Sequence, residues 1–312
     1  IKIIESGKCG DNVFYELTEE GVLNIFGSGR MYDYDLDLLY GEPNSPFYNK
    51  NIKKILIKEL VTTIGKLVFS YCSSLLEVVI PNSVIKIEKK AFYNCKSLVS
   101  VTLPNSIIEI QKYAFSGCSS LSSIVIPETI IKIGVGACKN TKWFNNQPEG
   151  CIYVNNVLYE YKENMLINTH VNVREDIKLI CAFAFDSCRG INSITISNSI
   201  KEIGEYAFAS CVSLTSIVIP NSVTEISEGL FYNCISLASI VIPNSVIKIG
   251  EYAFFNCPSL TSIIIPNSVI KIEPDAFRDC FSLELTCLNS MPPQAKNIMN
   301  CYGKLKVPKG SK

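Results

Sequence analysis

Histidine and tryptophan are nearly absent from this chain. Its 312 residues include one of each, His170 and Trp143. A single imidazole argues against a zinc site, and no two cysteines show CxxC spacing. No Ser-His-Asp arrangement, phosphate-cradling glycine loop or metal-ligand cluster can be assembled, and His170 beside Asn172 without a nucleophile is no catalytic constellation. No enzyme activity and no cofactor is therefore expected. Excess charge is missing too: 29 Lys and Arg balance 29 Asp and Glu. Nucleic-acid binding wants a basic face, so no nucleic-acid partner is expected. No apolar run approaches the roughly 18 residues of a membrane span. No Asn-x-Ser/Thr acceptor occurs, because the recurrent Asn-Ser sets the serine one place too early. That fits a bacterial product or an unglycosylated compartment and decides nothing alone. Asp33 and Asp35, between Tyr32 and Tyr34, lack EF-hand spacing and read as a solvated loop. The chain opens on Ile1 rather than Met, so a leading segment is expected to have been removed.

What the chain has in abundance is repetition. Cysteines fall at 72, 95 and 118, then at 188, 211, 234, 257 and 280, each step inside a run being 23. Around each the text recurs, as in Cys234-x-x-Leu237-x-Ser239-Ile240-x-Ile242-Pro243-Asn244-Ser245-Val246-x-x-Ile249-Gly250-x-x-Ala253-Phe254. A fixed period of this length and pattern marks a leucine-rich repeat. The expected fold is an α/β solenoid: a right-handed coil of about eleven 23-residue repeats with a parallel concave sheet. Short helical or 3₁₀ turns are expected on the convex side, and a β-hairpin cap at the N-terminus. Within a coil, Ile240 and Ile242 share one strand face. Pro243 ends the strand, since it cannot donate to the ladder. Fourteen cysteines would suggest disulfides in a secreted chain. Ladder cysteines on adjacent coils, however, would stand about 4.8 Å apart with parallel Cβ vectors, a geometry that disfavours bridging. They read as buried free thiols. Any disulfide would more readily involve Cys9, Cys138, Cys151, Cys181, Cys287 or Cys301.

The expected organisation is a cap over 1–48, repeats over 49–140, irregular repeats with an aromatic hairpin over 141–187, repeats over 188–284, and a C-terminal cap over 285–312. In the cap, Val13–Leu17 and Gly21–Phe26 alternate like two strands. In the irregular region Cys138 takes a Phe place and Thr141 a Cys place. Thr141 to Cys188 is 47, twice the period plus one, which predicts two modified coils rather than a domain boundary.

The near-verbatim IPNSVxxIGxxAFxxC units resemble the BspA-like, treponemal type of leucine-rich repeat. So do Ser6–Asn12, Leu23–Gly29 and Met31–Tyr34 at the N-terminus, Trp143–Pro148 with Val157–Lys162 at the interruption, and Cys287–Pro293 with Val307–Ser311 at the end. The resemblance covers essentially the whole chain. It implies a secreted or surface-displayed protein, with adhesion to host matrix proteins or other microbes among the family's roles and no shared catalytic residues to carry over.

The candidate ligand surface follows from the period. Outward strand residues are Lys54 and Leu56, Glu77 and Val79, Ser100 and Thr102, Ser123 and Val125. Beyond the interruption they are His170 and Asn172, Ser193 and Thr195, Ser216 and Val218, Ser239 and Val241, Ser262 and Ile264. One column is mostly Ser and the next mostly Val, Thr or Ile. Two readings stand: good strand formers, or a broad docking wall of low specificity, since hot spots usually need Trp, Tyr or Arg. The interruption supplies aromatics: Trp143, Phe144, Tyr153, Tyr159 and Tyr161. These are either core filling or an aromatic contact patch. The expected partner is a protein, matrix or cell-surface, and the alternative is a structural or display spacer without its own ligand. No feature of the sequence encodes an oligomeric state.

Overall fold

The computed structural model describes residues 2–162, 167–288 and 304–306. Cys301 and most of the expected C-terminal cap lie outside the described residues. The chain forms a β-solenoid of about ten turns with almost no helix, divided into two compact units, Ile1–Gln147 and Pro148–Lys312.

The first unit opens with three antiparallel strands rather than a two-stranded hairpin: β1 (Ile3–Lys8), β2 (Asn12–Thr18) and β3 (Val22–Arg30). β3 then turns from cap into solenoid. Its Val22–Ile25 half pairs parallel with β4 (Lys54–Ile57), and its end with β5 (Val61–Ile64). Both strand columns of the first coil are thereby covered by the cap. Each later coil repeats this pair of strands. Glu77–Val79 adds to β4, and Lys86–Ile87, Glu109–Ile110 and Lys132–Ile133 extend β5 in parallel.

The expected helical turns are a correction. Among the described residues the sole helix is Lys142–Asn145, so the fold is all-β rather than α/β. The reason is backbone handedness. Residues four apart around each Ala-Phe pair are left-handed, as Tyr252 (φ 54°) and Asn256 (φ 53°) or Tyr206 (φ 55°) and Ser210 (φ 54°). Left-handed residues occur singly and cannot propagate a right-handed helix.

The core is a stack of identical rungs. Phe47, Phe69, Phe92 and Phe115 are buried with centroids 5.4, 5.3 and 5.2 Å apart, and Tyr15 of the cap closes the stack edge-on at 4.8 Å. Each offset ring pair adds roughly 0.5–1.5 kcal/mol beyond area burial. The ladder cysteine is more than filler: Cys95 Sγ donates to the Phe69 carbonyl and Cys118 Sγ to the Phe92 carbonyl, each at 3.1 Å. The serine of each Asn-Ser turn also ties coils together, Ser83 to the Val61 carbonyl at 2.7 Å and Ser106 to Val84 at 2.6 Å. Thr141, in a cysteine place, breaks the pattern. Its fully buried hydroxyl accepts from the Phe144 N–H at 3.0 Å and donates to the Cys138 carbonyl at 2.7 Å. It thus N-caps the single helix.

The second unit begins with an antiparallel hairpin, Gly150–Val154 against Val157–Lys162, turned at left-handed Asn155 (φ 53°). Val157–Leu158 pairs parallel with Leu179–Ile180, leading into Glu202–Ile203. The other column runs Thr169–Asn172, Ile191–Thr195, Ser216–Val218, Ser239–Val241, all parallel. Phe185, Phe208, Phe231, Phe254 and Phe277 form the core stack at 5.2–5.6 Å. Cys211, Cys234, Cys257 and Cys280 donate to the Phe185, Phe208, Phe231 and Phe254 carbonyls at 2.9–3.1 Å. Among the described residues no two cysteines are joined in a disulfide.

Candidate functional site

Three-residue strands put one side chain in and two out. In the second unit the inward residues Ile194, Ile217 and Ile240 are buried. The outward ones form the two columns expected from the period. Register places His170 beside Ser193, Ser193 beside Ser216, and Ser216 beside Ser239, with Asn172 beside Thr195 and Val218 beside Val241. Ser262 and Ile264 stand on the next strand, paired with Glu284 and Thr286.

The apolar column is strongly exposed. Val218 and Val241 each show 75% of their surface and Ile264 shows 58%. The equivalents in the first unit, Val79 and Val125, show 44% and 54%, and there Lys54 and Glu77 form an ion pair at 2.9 Å. Three successive strands thus carry an uncharged apolar stripe beside serines in the second unit.

At one end of this surface the candidates gather into a hydrogen-bonded group. His170 Nδ1 lies 2.6 Å from Ser193 Oγ, and its Nε2 lies 3.0 Å from Asn172 Oδ1 and 3.2 Å from Thr195 Oγ1. The sequence reading gave His170 no nucleophile partner; the 23-residue register delivers Ser193 to it. Acyl transfer would further need donors aimed at an oxyanion. The neighbouring backbone N–H groups lie in the plane of the parallel ladder, where they serve strand pairing.

The aromatic patch at the interruption needs correcting. Tyr159 and Tyr161 are 2% and 7% exposed. Tyr161 stacks on Phe185 at 5.3 Å and continues the core ladder of the second unit, so neither tyrosine offers a contact face. Tyr153 is half-buried. Arg174 stands 4.7 Å over its ring, and the Arg174 N–H donates to its hydroxyl at 3.1 Å. Burial pushes the Tyr153 phenol up to about 12, against the opposing pull of the Arg174 N–H and guanidinium. Trp143 belongs to the first unit, half-buried on the short helix, its backbone N–H donating to the Leu121 carbonyl at 2.7 Å.

A row of half-buried aromatics elsewhere in the second unit escapes sequence reasoning. Phe183 stacks on Tyr206 at 5.1 Å, Tyr206 meets Tyr232 at 6.0 Å, and Tyr232 stacks on Phe255 at 4.7 Å. Arg278 covers the Phe255 end at 5.6 Å. The row crosses from one turn column to another because Gly229 (φ +57°) leaves space: a Cβ there would stand 2.1 Å from Tyr206 Cε1. Burial and a 2.9 Å bond to Glu228 raise the Tyr206 phenol. The rings cover one another's faces, which suits them to turn packing more than to stacking on a ligand. The signal was split between two columns, two places before a core Phe (Phe183, Tyr206) and one place after it (Tyr232, Phe255), neither of which the strand-centred reading followed.

Among the described residues no three His, Cys, Asp or Glu side chains come together as a metal site, and no described helix is long and apolar enough to cross a membrane.

Comparison with known proteins adds a family match. A model of the BspA type Leucine rich repeat region, in six copies, matches residues 43–166 and 159–284. No curated protein matches the chain. Among solved structures, a leucine-rich repeat protein from Eubacterium ventriosum is 22% identical, covering 92% of this chain and 85% of its own, with a TM-score of 0.48. A leucine rich cell surface protein from Faecalibacterium prausnitzii is 23% identical, covering 97% and 96%, with a TM-score of 0.45. The pneumococcal vaccine antigen PcpA is 15% identical over 99% of this chain and all of its own, also at 0.45.

Proposed function

The chain belongs to the BspA-type leucine-rich repeat family, and from that premise we propose that it is a non-enzymatic protein-binding module of a secreted or cell-surface protein. The observation that supports this reading is the exposed stripe Val218, Val241 and Ile264 beside Ser216, Ser239 and Ser262. Contiguous apolar surface held in water is costly and marks contact sites. A rigid parallel ladder presents it without loss of backbone freedom on binding, which lowers the ordering cost. The His170, Asn172, Ser193 and Thr195 group supplies polar bonds at one end.

The test is binding of the purified chain to a panel of immobilised matrix proteins and cell-surface proteins, beside Val218→Arg, Val241→Arg and Ser216→Arg. These positions are solvent-exposed, so folding is retained. A saturable interaction that weakens at least tenfold in each variant supports the wall as the site. Binding that all three variants preserve excludes the wall. A chain that binds none of the panel is a spacer module.

A further inference from the structure

The first unit carries a second surface of different chemistry. Between the cap and the first coils, residues 35–44 form a short, well-braced finger. Asp37 N–H donates to the Glu42 carbonyl at 2.6 Å and Gly41 N–H to the Asp37 carbonyl at 2.9 Å. The Asp37 carboxylate accepts from the Leu39 and Tyr40 N–H groups at 2.8 and 3.0 Å. Asp35 and Asn44 bond each other, and Leu36 bridges Pro43. Yet the tip of this ordered loop is apolar: Leu38, Leu39 and Tyr40 are 101%, 83% and 80% exposed. Loop tips are ordinarily polar, and nothing in the loop's own bonding calls for two leucines and a tyrosine there.

Beside the finger lies an open cleft of about 580 Å³, lined by Leu36, Leu38, Leu67, Asp35, Lys66, Lys89 and Lys90. That is the size range of ligand sites. Its lining joins three leucines, of which Leu67 is buried, to three lysines. Lys66 is paired with Asp35. Among the described residues neither Lys89 nor Lys90 has a carboxylate within ion-pair distance, and the Lys90 ammonium stands 5.1 Å over the Tyr93 ring. The cleft therefore pairs apolar contact with two uncompensated positive charges.

We propose that this cleft docks an acidic, apolar segment of a protein partner: a Leu-, Ile- or Phe-bearing stretch flanked by Asp or Glu. The apolar side chain would sit on Leu36, Leu38 and Leu67, and the flanking carboxylates would meet Lys89 and Lys90. Leu39 and Tyr40 extend the contact past the cleft. An open cleft would leave much of a free acyl chain in water, whereas a peptide brings neighbouring residues onto the exposed tip. None of the residues lining it belongs to the strand wall proposed above.

The experiment pans a library of random 12-residue peptides on the full chain, then titrates the synthesised winners. Enrichment of apolar residues flanked by Asp and Glu is expected. Lys89→Glu with Lys90→Glu should weaken those peptides at least tenfold and flatten the salt dependence of binding. Leu38→Ser with Leu39→Ser should weaken them tenfold while leaving the salt dependence intact. All four side chains are at the surface, and unchanged melting temperatures verify the fold of each variant. Absence of enrichment, enrichment of basic peptides, or winners that bind both variants as tightly as the parent chain would overturn the assignment. So would decanoate that binds in a lysine- and leucine-dependent way while acidic peptides do not, which would give the cleft to a free amphiphile.

Discussion

Each ladder cysteine combines two roles that no other residue type fills together. It is small and apolar enough for full burial, and at every ladder place but Cys188 its S–H reaches a Phe carbonyl on the preceding coil, as Cys234 does to Phe208 at 3.1 Å. Burial pushes the Cys72 and Cys234 thiols up to about 12, and raises Cys211 as well. These sulfurs are therefore neutral and unreactive at ordinary pH. Their linkage to stability has a definite sign. The unfolded thiol ionises near 8.5, while the folded one holds its proton. Stability is fully present below that value and falls as pH climbs from about 9 toward 12, each of these three thiols removing roughly 1.4 kcal/mol per pH unit. Urea unfolding midpoints measured from pH 7 to 11 should stay level to about pH 8 and then drop. A chain with Cys72, Cys211 and Cys234 changed to Ala should show a shallower drop, and an equal slope in both would refute the thiols as its source. A thiol reagent at pH 8 should label half-buried Cys151 well before any ladder cysteine, as peptide mapping by mass spectrometry would report.

A coil keeps its shape only while the right group occupies each place, and the interruption displays what one exchange does. Thr141 stands where a thiol would, and its hydroxyl, unlike S–H, accepts strongly from a backbone N–H. The Phe144 N–H is drawn to it, and the chain turns into the helix Lys142–Asn145. Thr141→Val keeps the volume, strands the Phe144 N–H and removes the bond to the Cys138 carbonyl. A loss of about 1–3 kcal/mol is expected, read as a lower urea midpoint, and Thr141→Ser should recover most of it. A threonine that merely filled space would lose little on change to Val. At this scale much was legible in the sequence: the ladder, the strand columns and the out-facing Ser and Val positions all follow from a spacing of 23. Tyr161 was misplaced because it lies 24 residues before Phe185. A single added residue hid its place in the core stack, and a tyrosine in an irregular loop looks like surface. The turn columns were misread as helical because left-handed Tyr, Asn and Ser leave no mark in a hydrophobic pattern. The leucine- and lysine-lined cleft was not legible at all, since Leu36 and Leu67 come to line it through the folding of the cap rather than through the repeat.

Within each unit, stability passes from coil to neighbouring coil, because a repeat contacts little beyond its neighbours. The consequence is sharpest for a rung in mid-stack. Phe231 lies between Phe208 at 5.6 Å and Phe254 at 5.4 Å, and its carbonyl accepts the Cys257 thiol at 3.1 Å. Truncation to Ala empties a fully buried ring site and removes two ring contacts at once, for a cost on the order of 3–5 kcal/mol. In a globular core that cost would be shared by the whole fold. In a one-dimensional stack it falls on the two interfaces flanking residue 231, so the coils on either side lose their main coupling. Hydrogen exchange of Phe231→Ala should therefore show protection collapsing first over residues 208–256, while amides in the Glu202–Ile203 and Lys271–Ile272 strands keep more of theirs, and urea unfolding of the second unit should broaden or split. A uniform fall in protection across every coil, with a single sharp transition, would mean that the unit folds as one indivisible core and that nearest-neighbour coupling does not govern it.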